Sequence, residues 1–367
     1  MMKAWEKLTT HVLSKRVHVC YKQPSNTHSK QATKMNSAPR TLSLIFHGNC
    51  IDGWFSACIL RAPYVATHNI NYYPISPNLS HTWPSAAVLA GTDILMTDVT
   101  VPENVLAAWE GIATSVRCID HHATSAPQLK CAHREHNCIH DTEACATLLA
   151  WRHVFGTSAD APDWVHQIDR IDRWHNVTRE DRAIREHLHM IAQLPVHGDI
   201  ANALRLSTEY ITACFLYPLA PHYLDELKVA GETALTAKED AIRAILRNGG
   251  KVITIMPAMA ELWHLEPSWV GKRGFIIDTT GVVLDSTEAG HIAMNDYGAE
   301  FFINYRLKTY TSPSTGITTK TYIYSARSKE TVNLTEGGSI LAGHPCSAGA
   351  SLRVENDVDV VPFVIAV

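Results

Sequence analysis

The chain has 367 residues, 46% apolar and 19% charged. That suits two folded domains of ordinary size and excludes a disordered chain. No apolar run nears the roughly 18 residues that cross a bilayer, and the most apolar stretch, Ile211 to Leu219, contains Pro218. The nine cysteines are odd in number and lack framework spacing. With no secretory pattern before them, a reducing, intracellular compartment is expected, the cytoplasm first. Residues 1–40 hold eight Lys/Arg against Glu6, leaving 24 basic and 35 acidic residues, about −11, for the rest. An acidic body is a poor match for long duplex nucleic acid and a better one for small nucleotides or short oligonucleotides.

In chain order, the basic leader comes first. Trp5, Leu8 and Val12 have the helical spacing of a mitochondrial transit peptide, but Ser, Thr, Asn, Gln and Pro dominate from Gln23 to Pro39. A disordered leader is therefore expected, with mitochondrial targeting as the alternative. A short apolar strand, Thr41–Phe46, runs into His47, Cys50 and Asp52, and a helix follows from Trp54 to about Arg61. A second strand, Asp93–Met96, ends at Asp98 before a helix opened by Pro102 and Glu103. A third, Ser115–Ile119, ends at Asp120, His121 and His122. Short continuous apolar strands alternating with helices predict a parallel sheet covered on both faces. Ligands bind beyond the carboxyl ends of such strands, where Asp52, Asp98 and Asp120 gather with three histidines. Like charges gathered there call for cations, and the mixture of carboxylate and imidazole suits manganese, magnesium, iron or zinc.

The segment from Cys131 to His140 is rich in Cys and His but matches no standard zinc spacing. A helix over Thr142–Phe155 is predicted, capped by Asp141 and closed by Gly156. Ile168–Trp174 then offers Asp169 and Asp172, each followed by an arginine, Arg170 and Arg173. His222–Arg247 reads as a long amphipathic connector, ended by Gly249 and Gly250. Strands at Lys251–Met256, Glu300–Leu307 and Thr319–Ala326 predict a mixed α+β domain. The expected fold class is α/β: a parallel-sheet domain (41–221) after the leader (1–40), a connector helix (222–250) and a smaller mixed α+β domain (251–367). The active site is expected in the cleft between the two domains.

These residues resemble the DHH phosphoesterases that carry a DHH-associated C-terminal domain. The signature triplet stands as Asp120-His121-His122, and the first motif as His47-Gly-Asn-Cys50-Ile-Asp52-Gly53-Trp-Phe-Ser-Ala57. Asp98 matches the second motif, and Asp169-Arg-Ile-Asp172-Arg-Trp174 is similar to the fourth. Ala342-Gly343-His344-Pro-Cys-Ser-Ala-Gly349 resembles the substrate-binding glycine loop, with Tyr324-Ser-Ala-Arg327-Ser328 as the strand before it. The resemblance runs from about residue 41 to the end.

It implies two divalent ions, manganese first, with zinc, iron, cobalt or magnesium as alternatives. His47, Asp98 and Cys50 would hold one; Asp52, Asp98, His121 and Asp169 (or Asp172) would hold the other, Asp98 bridging. His122 and Asp120 would serve catalysis, with His122 facing the phosphate. Arg327, Ser328, Gly343 and His344 would bind substrate. The implied activity is hydrolysis of a phosphodiester or phosphomonoester in short oligonucleotides, cyclic dinucleotides or nucleoside bisphosphates. A silent nucleotide-binding protein and an inorganic pyrophosphatase or polyphosphatase are the rival readings, and a homodimer is compatible with the sequence. The chain departs from the family in two places. Cys50 stands where many members have Asp, in a motif one residue shorter, so its thiol is either a ligand or a packed side chain. Ala342 replaces a loop glycine, with Gly337 and Gly338 displaced upstream.

Overall fold

The structure is a computed structural model describing residues 39–48, 50–77, 79–157, 160–192, 221–263, 265–311, 318–329, 331–334, 342–344 and 347–354. The leader with Trp5, Leu8 and Val12 lies outside them, as do Gly337 and Gly338. Two compact units divide the chain at Ala234 and Leu235.

In the first unit, β1 (Arg40–His47) is followed by α1 (Ile51–Arg61), β2 (His68–Ile75), α2 (Ala86–Leu89) and β3 (Asp93–Thr97). Then come α3 (Glu103–Glu110), β4 (Ser115–Asp120), α4 (Ala126–Leu129), β5 (Cys138–His140), α5 (Ala146–Phe155), α6 (Asp163–Arg173) and α7 (Arg179–Ala192). The five strands are all parallel, in the order β2-β1-β3-β4-β5. The period-2 alternation of a strand sends Leu42, Leu44 and Phe46 of β1 into one core, with α1, α5 and α6. Ile45 points the other way, into a second core with Leu89 of α2, Leu106 and Trp109 of α3 and Leu129 of α4. Burial on both faces is what makes β1 and β3 read as largely apolar runs.

The strand order reverses between β1 and β3. The helix leaving β1 packs on one face and the helix leaving β3 on the other. The two connections part and open a crevice at the carboxyl ends of those strands, the switch point at which open α/β sheets hold ligands.

The long helix α8 (Pro221–Gly249) begins in the first unit and ends in the second. A close approach holds it against α7, because a Cβ on Gly231 would stand 2.0 Å from the Ala183 carbonyl. The second unit contains β6 (Gly250–Thr254), α9 (Pro257–Leu262), β7 (Arg273–Asp278), α10 (Ser286–Asp296), β8 (Phe301–Thr311), β9 (Thr318–Ser328), β10 (Ala342–His344) and β11 (Ser347–Val354). Its mixed sheet runs β10-β11-β9-β8-β7-β6, with β7 and β8 the parallel pair. Phe275, Ile277 and Phe302 face α8 and α10, while Ile276, Phe301 and Ile303 face a core around Trp269. Among the described residues no helix is long and apolar enough to cross a membrane.

Candidate metal centre

Asp98 follows β3 and sits at the switch point. Its backbone is left-handed, at φ 58°, a conformation uncommon for a residue with a side chain. Its N–H still bonds the Ile119 carbonyl of β4 at 3.0 Å, so the chain turns sharply without leaving the sheet. The carboxylate is 1% exposed, and its two oxygens face different partners. Oδ1 lies 3.2 Å from His121 Nε2, and Oδ2 lies 3.4 Å from His47 Nδ1.

Around Oδ2 stand His47, the last residue of β1, and Cys50, which precedes α1; one ligand atom from each of His47, Cys50 and Asp98 lies within 4.8 Å of the others. The loop joining His47 to Cys50 is braced by Trp54, whose indole N–H donates to the Gly48 carbonyl at 2.6 Å. Gly53 is required where α1 turns back against β1, since a Cβ there would stand 2.4 Å from the His47 carbonyl.

On the Oδ1 side, Asp52, His121 and Asp172 form a second group with ligand atoms equally close. His121 Nε2 is 3.7 Å from Asp52 Oδ2 and 3.3 Å from Asp172 Oδ2. Asp52 is fully buried and lies over the N-terminus of α5, accepting the N–H groups of Ala146 and Thr147 at 2.7 Å each. Asp169 accepts the next donor, Cys145 N–H, at 2.7 Å, and has Arg173 at 3.9 Å. Of the two acids of this segment, Asp172 reaches His121 and Asp169 caps α5. The capping expected of Asp141 is thereby corrected. Asp141 instead closes a local turn to Glu143 N–H, and α5 starts at Ala146 because its free donors find Asp52 and Asp169.

Asp120 completes the triplet, and one ligand atom from each of Asp98, Asp120, His121 and His122 lies within 4.8 Å of the others, a third group that overlaps the first two. Asp120 Oδ1 accepts His121 N–H at 2.8 Å and His122 Nδ1 at 2.7 Å, which fixes the His122 ring. The His122 side chain is 37% exposed at the rim, while His121 is 3% exposed. Two further groups, to which the sequence assigned no role at the triplet, hold the backbone here. His140 Nε2 and Ser125 Oγ bond the His122 carbonyl at 2.8 and 2.7 Å. Their only sequence signal is proximity to the triplet and to β5.

Without a cation the cluster distributes protons unevenly. Burial and the charges of Asp98 and Asp172 push Asp52 up to about 8, against the two N–H bonds that favour its ionised form. Burial also works to raise Asp98, but the hydrogen bond from His121 and the nearby His47 imidazole outweigh it and hold the carboxyl far below its ordinary range. Burial opposes a charge on His121, yet Asp98, Asp172 and Asp52 raise it to about 10. His122 rises to about 9 through Asp120 in the same manner. Burial and the surrounding carboxylates push the Cys50 thiol up.

The residues fit divalent cations. Asp98 Oδ2 and Asp120 Oδ2 are buried and make no hydrogen bond, an expensive condition for carboxylate oxygens unless another positive partner is intended. Four buried or half-buried carboxylates, Asp52, Asp98, Asp120 and Asp172, converge with imidazole and thiol donors, the chemistry of first-row metal ligands.

In the second unit, Arg327 of β9 donates to the Ala326 carbonyl at 2.7 Å and to Thr287 Oγ1 at 2.9 Å, at the start of α10. Ser328 is buried and donates to the Val332 carbonyl at 2.6 Å, a contact that holds the chain after β9. His344, Ser347 and Arg327 lie in one register row across β10, β11 and β9, with Gly343 opposite Ala348. Among the described residues the Cys131–His140 segment supplies no group of three ligands to a metal of its own. Cys131 Sγ lies 3.4 Å from His133 Nδ1, and His136 lies against Glu135.

No protein-family description and no curated protein matches the chain. A solved structure similar to it is that of an uncharacterized protein from Helicobacter pylori G27, 13% identical over 85% of this chain and 93% of that one, with a TM-score of 0.36. The molecule is a two-unit α/β protein with a parallel five-stranded sheet and a buried Asp/His cluster suited to metal.

Proposed function

We propose that the chain is a metal-dependent phosphoesterase of the DHH kind, acting on short oligonucleotides, cyclic dinucleotides or nucleoside bisphosphates. The observation that carries this reading is Asp98, one buried carboxylate with His121 at one oxygen and His47 at the other. Only Asp or Glu can join two ions in this way. His47, Cys50 and Asp98 would hold one ion, and Asp52, Asp98, His121 and Asp172 the other. Two bound cations would supply hydroxide at neutral pH and stabilise charge on the phosphoryl oxygens.

The chain's own groups do the rest. His122, fixed through Nδ1 to Asp120 and cationic below about 9, offers a proton or a charged hydrogen bond to the phosphoryl group. The left-handed turn at Asp98 and the α5 N-terminus under Asp52 hold both carboxylates rigid, so geometry is set before substrate arrives. Arg327 supplies a cation for a second phosphate, as the family resemblance implies.

A screen of di- to pentanucleotides, cyclic dinucleotides, nucleoside bisphosphates and pyrophosphate, with and without manganese, tests the reading. Metal-dependent cleavage of a nucleotide ester, abolished in Asp98→Asn, is expected. His122→Ala should retain metal and slow turnover by roughly 10²–10⁴. Metal binding with no cleavage would favour a silent binding protein, and cleavage of pyrophosphate alone would favour the pyrophosphatase.

A further inference from the structure

The two halves of the cluster are chemically unlike. One offers sulfur, nitrogen and a single carboxylate oxygen, from Cys50, His47 and Asp98 Oδ2. The other offers one imidazole and two carboxylates, from His121, Asp52 and Asp172, with Asp98 Oδ1 3.2 Å from the same imidazole. We propose that the cluster is a mixed-metal centre, in which Cys50 commits the first position to a sulfur-tolerant ion such as zinc while the second takes a hard ion such as manganese. The proposal rests on the phosphoesterase reading for the purpose of the two ions and deepens it.

The placement of Cys50 argues for ligation over packing. Cys58 and Cys145 are buried members of the apolar core beside the sheet, whereas Cys50 is half-buried and outside it. Cys50 Sγ instead meets carboxylates, donating to Asp172 Oδ1 at 3.7 Å within reach of His47 and Asp98. A small packed residue would gain nothing from these neighbours. The second observation is independent of the sulfur: Asp98 Oδ2, buried without a hydrogen bond, is on the same side.

Three protein ligands of mixed S, N and O type with a fourth position open to water are an established arrangement for reactive zinc. Oxygen-rich sites lean to manganese or magnesium, and thiolates to zinc or iron. As the ion binds, the Cys50 S–H bond breaks, a sulfur–metal bond forms and one proton leaves to solvent. Asp98, sharing its oxygens, would tie the soft ion to the hard one at a fixed spacing.

The test strips the full chain with chelator, then offers zinc and manganese together, and in parallel offers cobalt(II) alone. Expected are one zinc and one manganese per chain, and a near-ultraviolet thiolate-to-cobalt absorption band. Cys50→Ser should lose that band and the zinc while keeping manganese. Cys50→Asp should take up manganese at both positions. Circular dichroism checks the fold of the variants; if Cys50→Ser does not fold, the band in the wild-type chain still decides. Two like ions and no thiolate band in the wild type would overturn the proposal. If that chain also cleaves a nucleotide ester, the mixed centre alone fails; if it binds no ion, the phosphoesterase reading fails with it.

Discussion

Asp169 and Asp172 sit three residues apart on one helix and have different surroundings. The apolar stripe of α6 is Trp164, Val165, Ile168 and Ile171. At about 100° per residue, Asp172 falls roughly 50° from the centre of that stripe and Asp169 roughly 110°. The wheel alone therefore places Asp172 toward the sheet and Asp169 at its margin. The family motif offers both residues and does not choose between them. Asp172→Ala should lose an ion outright. Asp169→Asn should keep both, with affinity weakened by about 10–100-fold, the range for a group that orients a ligand indirectly. Elemental analysis of the two variants separates these outcomes, and equal metal loss would place Asp169 among the ligands.

The elements that build the crevice divide into those visible in the sequence and those that are not. β1, β3 and β4 are visible because buried, largely apolar stretches of each run up to Asp or His. β2, an edge strand reading HNINYYPI, is not, because its exposed positions carry polar residues. The start of α5 is also invisible. The residues that satisfy its donors come from 94 and 24 positions away, and no local pattern records so distant a partner. The α1 turn is legible from Gly53 only once its neighbour is known. Gly53→Ala would drive a methyl into the His47 carbonyl and should cost about 3 kcal/mol or more, the upper end for overpacking. Chemical denaturation measures this, and a loss below about 1 kcal/mol would mean that α1 shifts freely against β1.

For the whole molecule, the long helix α8 follows from the periodicity read over His222–Arg247, whereas the unit boundary inside it does not. The charges of the cluster set how the molecule's stability depends on pH. Asp52 ordinarily titrates at 3.8 and here at about 8, so its contribution is complete below 3.8 and lost as pH climbs through 8. His121, moved from 6.5 to about 10, acts in the same direction and its contribution is lost as pH climbs through 10. Asp98 and Asp120 are held low, and their contributions fade only as pH falls toward strong acid. The metal-free protein should therefore melt at progressively lower temperature between neutral pH and about 10. The manganese-loaded protein should not, because bound cations replace the protons and stabilise by mass action. Thermal unfolding across pH, with chelator and with manganese, checks this; parallel curves would show that the cluster does not bind metal.

The α5 N-terminus has a consequence for timing. An exposed helix start is a ready cradle for phosphate, but here Asp52 and Asp169 already occupy the donors of Cys145, Ala146 and Thr147. A phosphate arriving at the metal-free crevice therefore meets carboxylates where a helix would ordinarily welcome it. Under the phosphoesterase reading, its affinity there is borrowed from the cations, and assembly has a compulsory order of metal first and substrate second. Turnover would then follow the supply of free metal in the cell, so that scarcity silences the enzyme before substrate is ever held.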